Sequence, residues 1–152
     1  MSISDKITNL GYQLPQASAP VGSYVPYLIN NDHIFVSGQI SKNTDTHYQG
    51  ILGQDANEED GFKAAEVCVL NILAQLGKAL DNDLSRIEQF VKLSVFIQSA
   101  AGFTNHAQIA NGASDLVLKI FDEKGKHTRA AVGCSSLPLN SLVEIDAIIR
   151  IK

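Results

Sequence analysis

The spacing of the apolar residues changes twice along this chain, and these changes restrict the fold more than any other feature of the sequence. Between about Asn57 and Leu80 the apolar residues recur at steps of three and four, which is typical of a helix packed on one side. Asn57 can cap this helix, and Asp60 lies in its first turn, where the helix dipole favours acids. The apolar stripe consists of Phe62, Ala65, Val69, Ile72, Leu73, Leu76 and Leu80.

Apolar runs with a spacing of two residues lie on both sides of this helix and predict strands. Residues 24–29 and 33–40 are predicted to form a hairpin, because Asn30, Asn31 and Asp32 between them tolerate a positive φ. The sequence further predicts a strand over 89–98, a second helix over 105–122, and a final pair of strands over 128–134 and 142–151.

This order of hairpin, helix, strand, helix and hairpin is typical of an α+β domain with two helices on one face of a mixed sheet. We interpret residues 1–152 as one such domain, since no linker or repeat divides the chain. The polar stretch before Val21 contains Pro15 and Pro20. We expect it to be an extended N-terminal arm, over about residues 1–18.

The sheet face away from the helices is predicted to be apolar as well. Phe90, Phe96 and Ile148 would lie on that face, where a monomer would expose them to water. Exposed apolar patches of this kind usually mark an interface. We therefore expect a homo-oligomer, with a small-molecule site in a cleft between subunits.

Charge and composition argue against several classes of function. The net charge is −4, so the chain lacks the basic surface that phosphate backbones require. No apolar run approaches the roughly 18 residues of a membrane span, and the first ten residues lack a signal-peptide core. We expect a cytoplasmic protein that binds neither nucleic acid nor membrane. The four histidines have no metal-ligand spacing, and Cys68 and Cys134 are interpreted as structural thiols.

Arg129 and Glu144 form the strongest candidate constellation. They lie near the starts of two strands that the sequence predicts to be adjacent, so they can face one another across the pair. An arginine fork matches a carboxylate, and the Glu144 carboxylate can polarise a water for attack on an electrophilic carbon. A cross-strand ion pair is the alternative, and the spacing alone favours it.

Three further residues are candidates for a ligand site. Gly38 ends an apolar strand, where it permits either close approach of a ligand or a β-bulge. Tyr24 can cover a ligand or pack into the core. Asn111 can donate a hydrogen bond to a ligand or satisfy a local backbone group. No GxSxG, Cys–His or phosphate-loop motif is present.

Five motifs together resemble the YjgF/Rid (reactive intermediate deaminase) family, which is also described as L-PSP endoribonuclease-like. The resemblance covers the chain from Ala19 onward, and the fifteen-residue spacing of Arg129 and Glu144 fits it. The motifs are APVGSY at 19–24, VSGQI at 36–40, IANGA at 109–113, TRAAV at 128–132 and VEIDAI at 143–148.

The resemblance implies a chorismate-mutase-like subunit in a homotrimer, with clefts between subunits. It implies hydrolysis of 2-imino acids, or their enamine tautomers, to 2-oxo acids and ammonia without a metal or organic cofactor. Arg129 would hold the substrate carboxylate, Glu144 would position water, and Gly38 would offer backbone contacts. Tyr24 and Asn111 would line the pocket.

The chain departs from the archetypal deaminases at several points. Ala131 stands where they have a cysteine, whose contribution in the family comes mainly from its backbone. The arm before Ala19 and an enlarged loop over about 47–59 resemble a divergent subgroup. Two other functions stay open: a non-catalytic trimeric binding module for small carboxylates, and an endoribonuclease, which the net charge of −4 disfavours.

Overall fold

Five strands and three α-helices make up the protein, and the computed structural model describes all of residues 1–152. Short 3₁₀ turns at Leu84–Arg86, Asp122–Gly125 and Pro138–Asn140 connect some of these elements. In chain order the elements are α1 (Ile3–Asn9), β1 (Tyr27–Asn30), β2 (His33–Ile40), α2 (Glu58–Ala79), β3 (Ile87–Gln98), α3 (His106–Phe121), β4 (Thr128–Cys134) and β5 (Val143–Ile151).

The two long helices form where the apolar spacing predicts them. Asn57 is the N-cap of α2, and its side-chain oxygen accepts a hydrogen bond of 2.8 Å from the backbone N–H of Asp60. The helices approach closely at Gly112, where a Cβ would lie 2.1 Å from the carbonyl oxygen of Phe62. The glycine therefore allows the backbones of α2 and α3 to meet. Together the helices cover one face of the sheet and enclose the core.

The strand order is β1-β2-β5-β3-β4, and β4 runs parallel to β3 at the edge of the sheet. The prediction that β4 and β5 form an adjacent pair is therefore wrong, because β3 lies between them. The connection 135–142 crosses the end of β3, where the buried Gln98 holds it. The Gln98 amide donates to Asn140 Oδ1 at 2.7 Å and accepts from the Leu137 N–H at 2.7 Å.

The core side of β3 carries Leu93, Val95 and Ile97, all buried as predicted. Phe90 is buried as well, at 1% exposure, with its ring centroid 4.9 Å from that of Phe121 at the end of α3. The prediction that Phe90 lies on the opposite face is wrong. The ladder with β5 shifts register between Phe90 and Lys92, and this irregularity turns Phe90 toward the helices.

The other face of the sheet, called the open face below, carries apolar side chains that the chain itself does not cover. Phe96 and Ile148 are half-buried there, as expected for their faces. Phe35 pairs with Ile148, and Val132 pairs with Phe96, so the apolar side chains extend across neighbouring strands. Phe35 is 43% exposed and Val132 is 48% exposed.

The N-terminal segment is not the extended arm that the prolines suggested. Ser2 and Asp5 form a reciprocal capping box that starts α1, and Ile7 of this helix is buried in the core at 2% exposure. The prolines lie after this helix, so they do not prevent it. As for bilayers, none of the helices combines the length and the apolar character that a crossing requires.

Candidate active site

Arg129 lies on the edge strand β4 with its side chain on the face that the helices cover. Its Nη1 donates to Asn111 Oδ1 at 2.9 Å and to Ser114 Oγ at 3.0 Å. Asn111 and Ser114 are three residues apart on α3, so both point toward the same strand. The structure thus brings together two predicted site residues, Arg129 and Asn111, and the guanidinium is fixed by the hydrogen bonds that it donates to side chains of the helix.

A cleft of about 270 Å³ lies beside this guanidinium. Ser114 and His127 line it and were missed by the sequence-based search, although His127 stands only two residues before Arg129. The Ser114 hydroxyl lies 2.9 Å from His127 Nε2. The signal that identifies Ser114 is its spacing of three from Asn111 on one helix. The lining residues are Ser114, Leu118, Lys126, His127 and Arg129.

Glu144 lies half-buried on β5, on the open face of the sheet. Burial raises the pKa of its carboxyl above the ordinary glutamate value, and the negative charge of Asp146 raises it further. Burial disfavours the charged form of a carboxyl, and a like charge nearby has the same effect. Glu144 is thus a carboxyl that holds its proton to a higher pH than an exposed glutamate does.

Gly38 is the residue that makes room for Glu144. A Cβ at Gly38 would lie 2.2 Å from Glu144 Oε1, which is far closer than two non-bonded atoms can approach each other. The β2–β5 register shifts between Val36 and Gln39, so Gly38 sits in a bulge, which was one of its two predicted roles. The Ser37 hydroxyl supports this bulge by donating to the Val25 carbonyl at 2.7 Å.

Arg129 and Glu144 do not face one another within one chain, so the predicted juxtaposition is wrong. Arg129 pairs with Leu93, whose side chain is buried under the helices, whereas Glu144 pairs with Phe96 on the open face. The two side chains lie on opposite faces, and two strand spacings, about 10 Å, separate their strands. A cross-strand ion pair inside one subunit is thereby excluded as well.

Tyr24 and Ala131 lie apart from each other. Tyr24 is 51% exposed before β1 and does not pack into the core. A Cβ at Gly22 would lie 3.3 Å from the Tyr24 ring, so this glycine lets the ring lie against the backbone. Ala131 is half-buried two residues after Arg129, on the same face of β4. Only Ala131 therefore lies near the guanidinium within one chain.

Both thiols are held in their protonated form. Burial raises the pKa of Cys68 well above the ordinary thiol value, and the Glu144 charge adds to this shift. Burial also raises the pKa of Cys134. The two Sγ atoms each lie 3.5 Å from a backbone carbonyl, that of Val143 for Cys68 and that of Ile97 for Cys134. Neither is an activated nucleophile, in agreement with their structural interpretation.

Comparison with known proteins identifies the family. Residues 4–150 match the family described as "YjgF/chorismate mutase-like, putative endoribonuclease". The chain belongs to the YjgF/Rid family. The match spans nearly the whole chain, including the strands that carry Gly38, Arg129 and Glu144.

Three known proteins illustrate what the chain is similar to. Protein TCP17 of Trypanosoma cruzi is 40% identical over 99% of this chain and 94% of its own length. A crystal structure of a putative endoribonuclease from Shewanella oneidensis superposes with a TM-score of 0.94 at 33% identity, covering 99% of this chain and 100% of that one. A 2-iminobutanoate/2-iminopropanoate deaminase of Dermatophagoides farinae is 26% identical over 91% of this chain and 93% of its own length.

Proposed function

We propose that this YjgF/Rid protein hydrolyses reactive 2-imino acids, or their enamine tautomers, to 2-oxo acids and ammonia, without a cofactor. Water adds to C2 of the protonated imine while Glu144 accepts a proton from it. The proton passes to the amino nitrogen, and the C2–N bond then breaks with its electron pair going to nitrogen. The remaining hydroxyl loses its proton and becomes the carbonyl of the 2-oxo acid.

The observation that carries this proposal is the state of Arg129. Its Nη1 is engaged by Asn111 and Ser114, its Nε and Nη2 make no hydrogen bond within the chain, and the residue lines a cleft of about 270 Å³. An arginine held in this way presents a preorganised fork to a carboxylate. All 2-imino acids and 2-oxo acids carry a carboxylate next to C2, so Arg129 would orient the reacting carbon.

Glu144 supports the chemical step. Its raised pKa comes from burial and from Asp146, and a carboxyl with such a pKa is suited to take a proton from water and to return it. Gly38 leaves the space that the carboxylate occupies and adds exposed backbone at the same point. The distant relative named as a 2-iminobutanoate/2-iminopropanoate deaminase supports the same substrate class.

The site requires more than one copy of the chain. Because Arg129 and Glu144 lie on opposite faces of the sheet, one ligand can meet both only if they come from different subunits. The open face, with Phe35, Ile148 and Val132, supplies apolar surface for such contacts. We therefore propose a homotrimer in which Arg129 of one subunit and Glu144 of another share each cleft. Tyr24 would cover the ligand from the rim of that cleft.

One observation favours a second function, a binding module for small carboxylates. A single chain already presents Arg129 with its helix partners, whereas Glu144 lies on the other face. Capture of a carboxylate thus needs no contribution from Glu144. The two functions differ in whether the rate of imine hydrolysis depends on that residue.

The test is hydrolysis of 2-iminopropanoate, generated in place from alanine by an amino-acid oxidase and trapped with semicarbazide when it is not hydrolysed. The wild type should reduce the trapped product. Arg129→Ala should abolish binding of pyruvate, a loss of about 2 to 5 kcal/mol, with the fold retained. Arg150→Ala is the matched control, since Arg150 is exposed at the far end of β5.

Glu144→Gln separates the two functions. It should lower the hydrolysis rate about 10²- to 10⁴-fold while the affinity for pyruvate stays near the wild-type value. Wild-type protein that binds pyruvate without hydrolysing the imine would establish the binding module instead. Wild-type protein that does neither would refute both functions.

A further inference from the structure

The guanidinium of Arg129 is tied to a chain of hydrogen bonds that runs from α3 to the residues before β4. Ser114 Oγ accepts from Arg129 Nη1 at 3.0 Å and lies 2.9 Å from His127 Nε2. His127 Nδ1 in turn lies 2.6 Å from the carbonyl oxygen of Gly125. The function proposed above uses Ser114 only as an acceptor for Arg129 Nη1, and it assigns no role to His127 or to the Gly125 carbonyl.

The direction of each hydrogen bond follows from the chemistry of its ends. A backbone carbonyl only accepts, so Nδ1 of His127 carries a proton. In the neutral ring Nε2 is then an acceptor, and the Ser114 hydroxyl donates to it. The serine lone pairs are thereby turned toward Arg129, from which Ser114 accepts. All three hydrogen bonds are therefore consistent with a single tautomer of His127.

The backbone around these hydrogen bonds is tightly packed, so Ser114 and His127 have little freedom to move. A Cβ at Gly125 would lie 2.6 Å from the carbonyl oxygen of Val117, so the Asp122–Gly125 turn is pressed against α3. The Gly125 carbonyl is therefore held at a fixed distance from the helix that carries Ser114. Ser114 itself is only 8% exposed. The position of His127 is thus fixed on both sides of its ring.

These hydrogen bonds determine which edge of the Arg129 guanidinium is free to bind a carboxylate. Nη1 carries two N–H groups and has two acceptors, Asn111 Oδ1 and Ser114 Oγ. A carboxylate that binds an arginine with both oxygens needs two parallel N–H groups. The edge that joins Nη1 and Nη2 cannot supply both, because Nη1 is occupied. The edge that joins Nε and Nη2 retains both of its N–H groups.

We propose that Ser114 and His127 are positioning residues that make Arg129 receive the ligand carboxylate on its Nε–Nη2 edge. This inference rests on the proposed role of Arg129 in carboxylate binding. Asn111 alone leaves one Nη1 proton free, and the guanidinium can then rotate to offer its other edge. The serine acceptor, oriented by the histidine, removes that alternative and fixes the angle at which C2 of the substrate enters the cleft.

The experiment uses nitrogen NMR of the full-length protein before any ligand is added. In spectra recorded at a pH where the imidazole rings are neutral, the His127 proton should lie on Nδ1 and not on Nε2. The Arg129 Nη1 and Nη2 signals should be resolved because their rotation is slow. Arg150, which is exposed, serves as the internal reference for fast rotation. The opposite tautomer at His127 would overturn the proposal without any variant.

Two variants, each with a matched control, then test the link from His127 to the ligand. Ser114→Ala should average the Arg129 Nη signals and weaken pyruvate binding about tenfold, which corresponds to 1.4 kcal/mol. Ser114→Thr, which keeps the hydroxyl, should restore both readouts. His127→Phe should have the effect of Ser114→Ala, whereas His33→Phe, at the distant hairpin, should leave both readouts unchanged.

The outcomes distinguish this inference from the proposed function. If Arg129→Ala abolishes pyruvate binding while Ser114→Ala changes neither the Nη signals nor the affinity, the positioning role is refuted and the carboxylate site stands. If wild-type protein binds no pyruvate, the proposed function fails. The NMR signals of His127 and Arg129 still decide in that case whether the hydrogen-bond chain holds the guanidinium.

Discussion

Replacing Gly38 by alanine should separate the position of the Glu144 carboxyl from the stability of the fold. The new Cβ would lie 2.2 Å from Glu144 Oε1, 3.0 Å from Cδ and 3.3 Å from Cγ. Non-bonded heavy atoms pack at about 3.5 Å, so Oε1 must move by about 1 Å or more. The atoms that must move belong to the end of a flexible side chain, so Glu144 will rotate away and the backbone will stay in place.

The effect on stability should be small. Gly38 does not have a positive φ, so alanine fits its backbone, and loss of glycine freedom in the unfolded chain offsets part of the crowding. We expect the free energy of unfolding to change by about 1 kcal/mol at most. The rate of imine hydrolysis should fall about 10²-fold, the usual cost of a 1 Å misplacement at a reacting centre. Pyruvate affinity should remain unchanged.

The assay combines single-turnover hydrolysis with a titration of the Glu144 carboxyl followed by its carbon NMR signal. In Gly38→Ala the carboxyl moves toward water, so its pKa should fall back toward the ordinary glutamate value. Gly77→Ala is the matched control, since its Cβ would meet only Asn82 Oδ1 at 3.4 Å. A titration and a rate that both equal the wild-type values would refute the assignment of Glu144 and its dependence on Gly38.

Three other predictions concern packing, pH and assembly. Gly112→Ala forces a Cβ to within 2.1 Å of the Phe62 carbonyl oxygen, so denaturant melts should show a loss of about 3 kcal/mol or more. Glu144→Gln should stabilise the protein at neutral pH, because the raised pKa makes the folded state of the wild type less stable as pH rises above the ordinary carboxyl range. Melts below about pH 4.3 should show no difference, and a gain that persists there would contradict the reasoning. Val132→Glu places a charge on the open face, so the mass measured by light scattering should fall from that of the proposed trimer to the 16.4 kDa of one chain, with unchanged circular dichroism.

Local sequence signals predicted the two long helices and most strands because their determinants are local, but they missed α1, where an extended arm was expected. Asn57 caps α2 as its spacing indicates, and the apolar face of β3 from Leu93 to Ile97 follows strict alternation. The same alternation placed Phe90 on the wrong face, since a register shift in the β3–β5 ladder is invisible in the spacing of one strand. Local signals also do not determine the order of the strands in the sheet.

In the candidate site, too, local features were predicted and long-range ones were not. Arg129 and Asn111 were predicted separately as site residues, and the structure brings them within hydrogen-bond distance of each other. The expected juxtaposition with Glu144 failed because a short connection suggests a hairpin, whereas residues 135–142 cross the end of β3 and leave it inserted between the two strands. The side-chain amide of Gln98 holds the connection there, through long-range contacts that the spacing of apolar residues does not record.

The placement of Arg129 and Glu144 on opposite faces has a genetic consequence. If each cleft takes its arginine from one subunit and its glutamate from another, two inactive chains can repair each other. A cleft is intact when its arginine comes from a Glu144→Gln subunit and its glutamate comes from an Arg129→Ala subunit. After equal mixing and random reassembly, about one cleft in four is intact. Co-expression of the two variants should therefore recover about a quarter of the wild-type activity, whereas either variant alone should show about 1% of it or less.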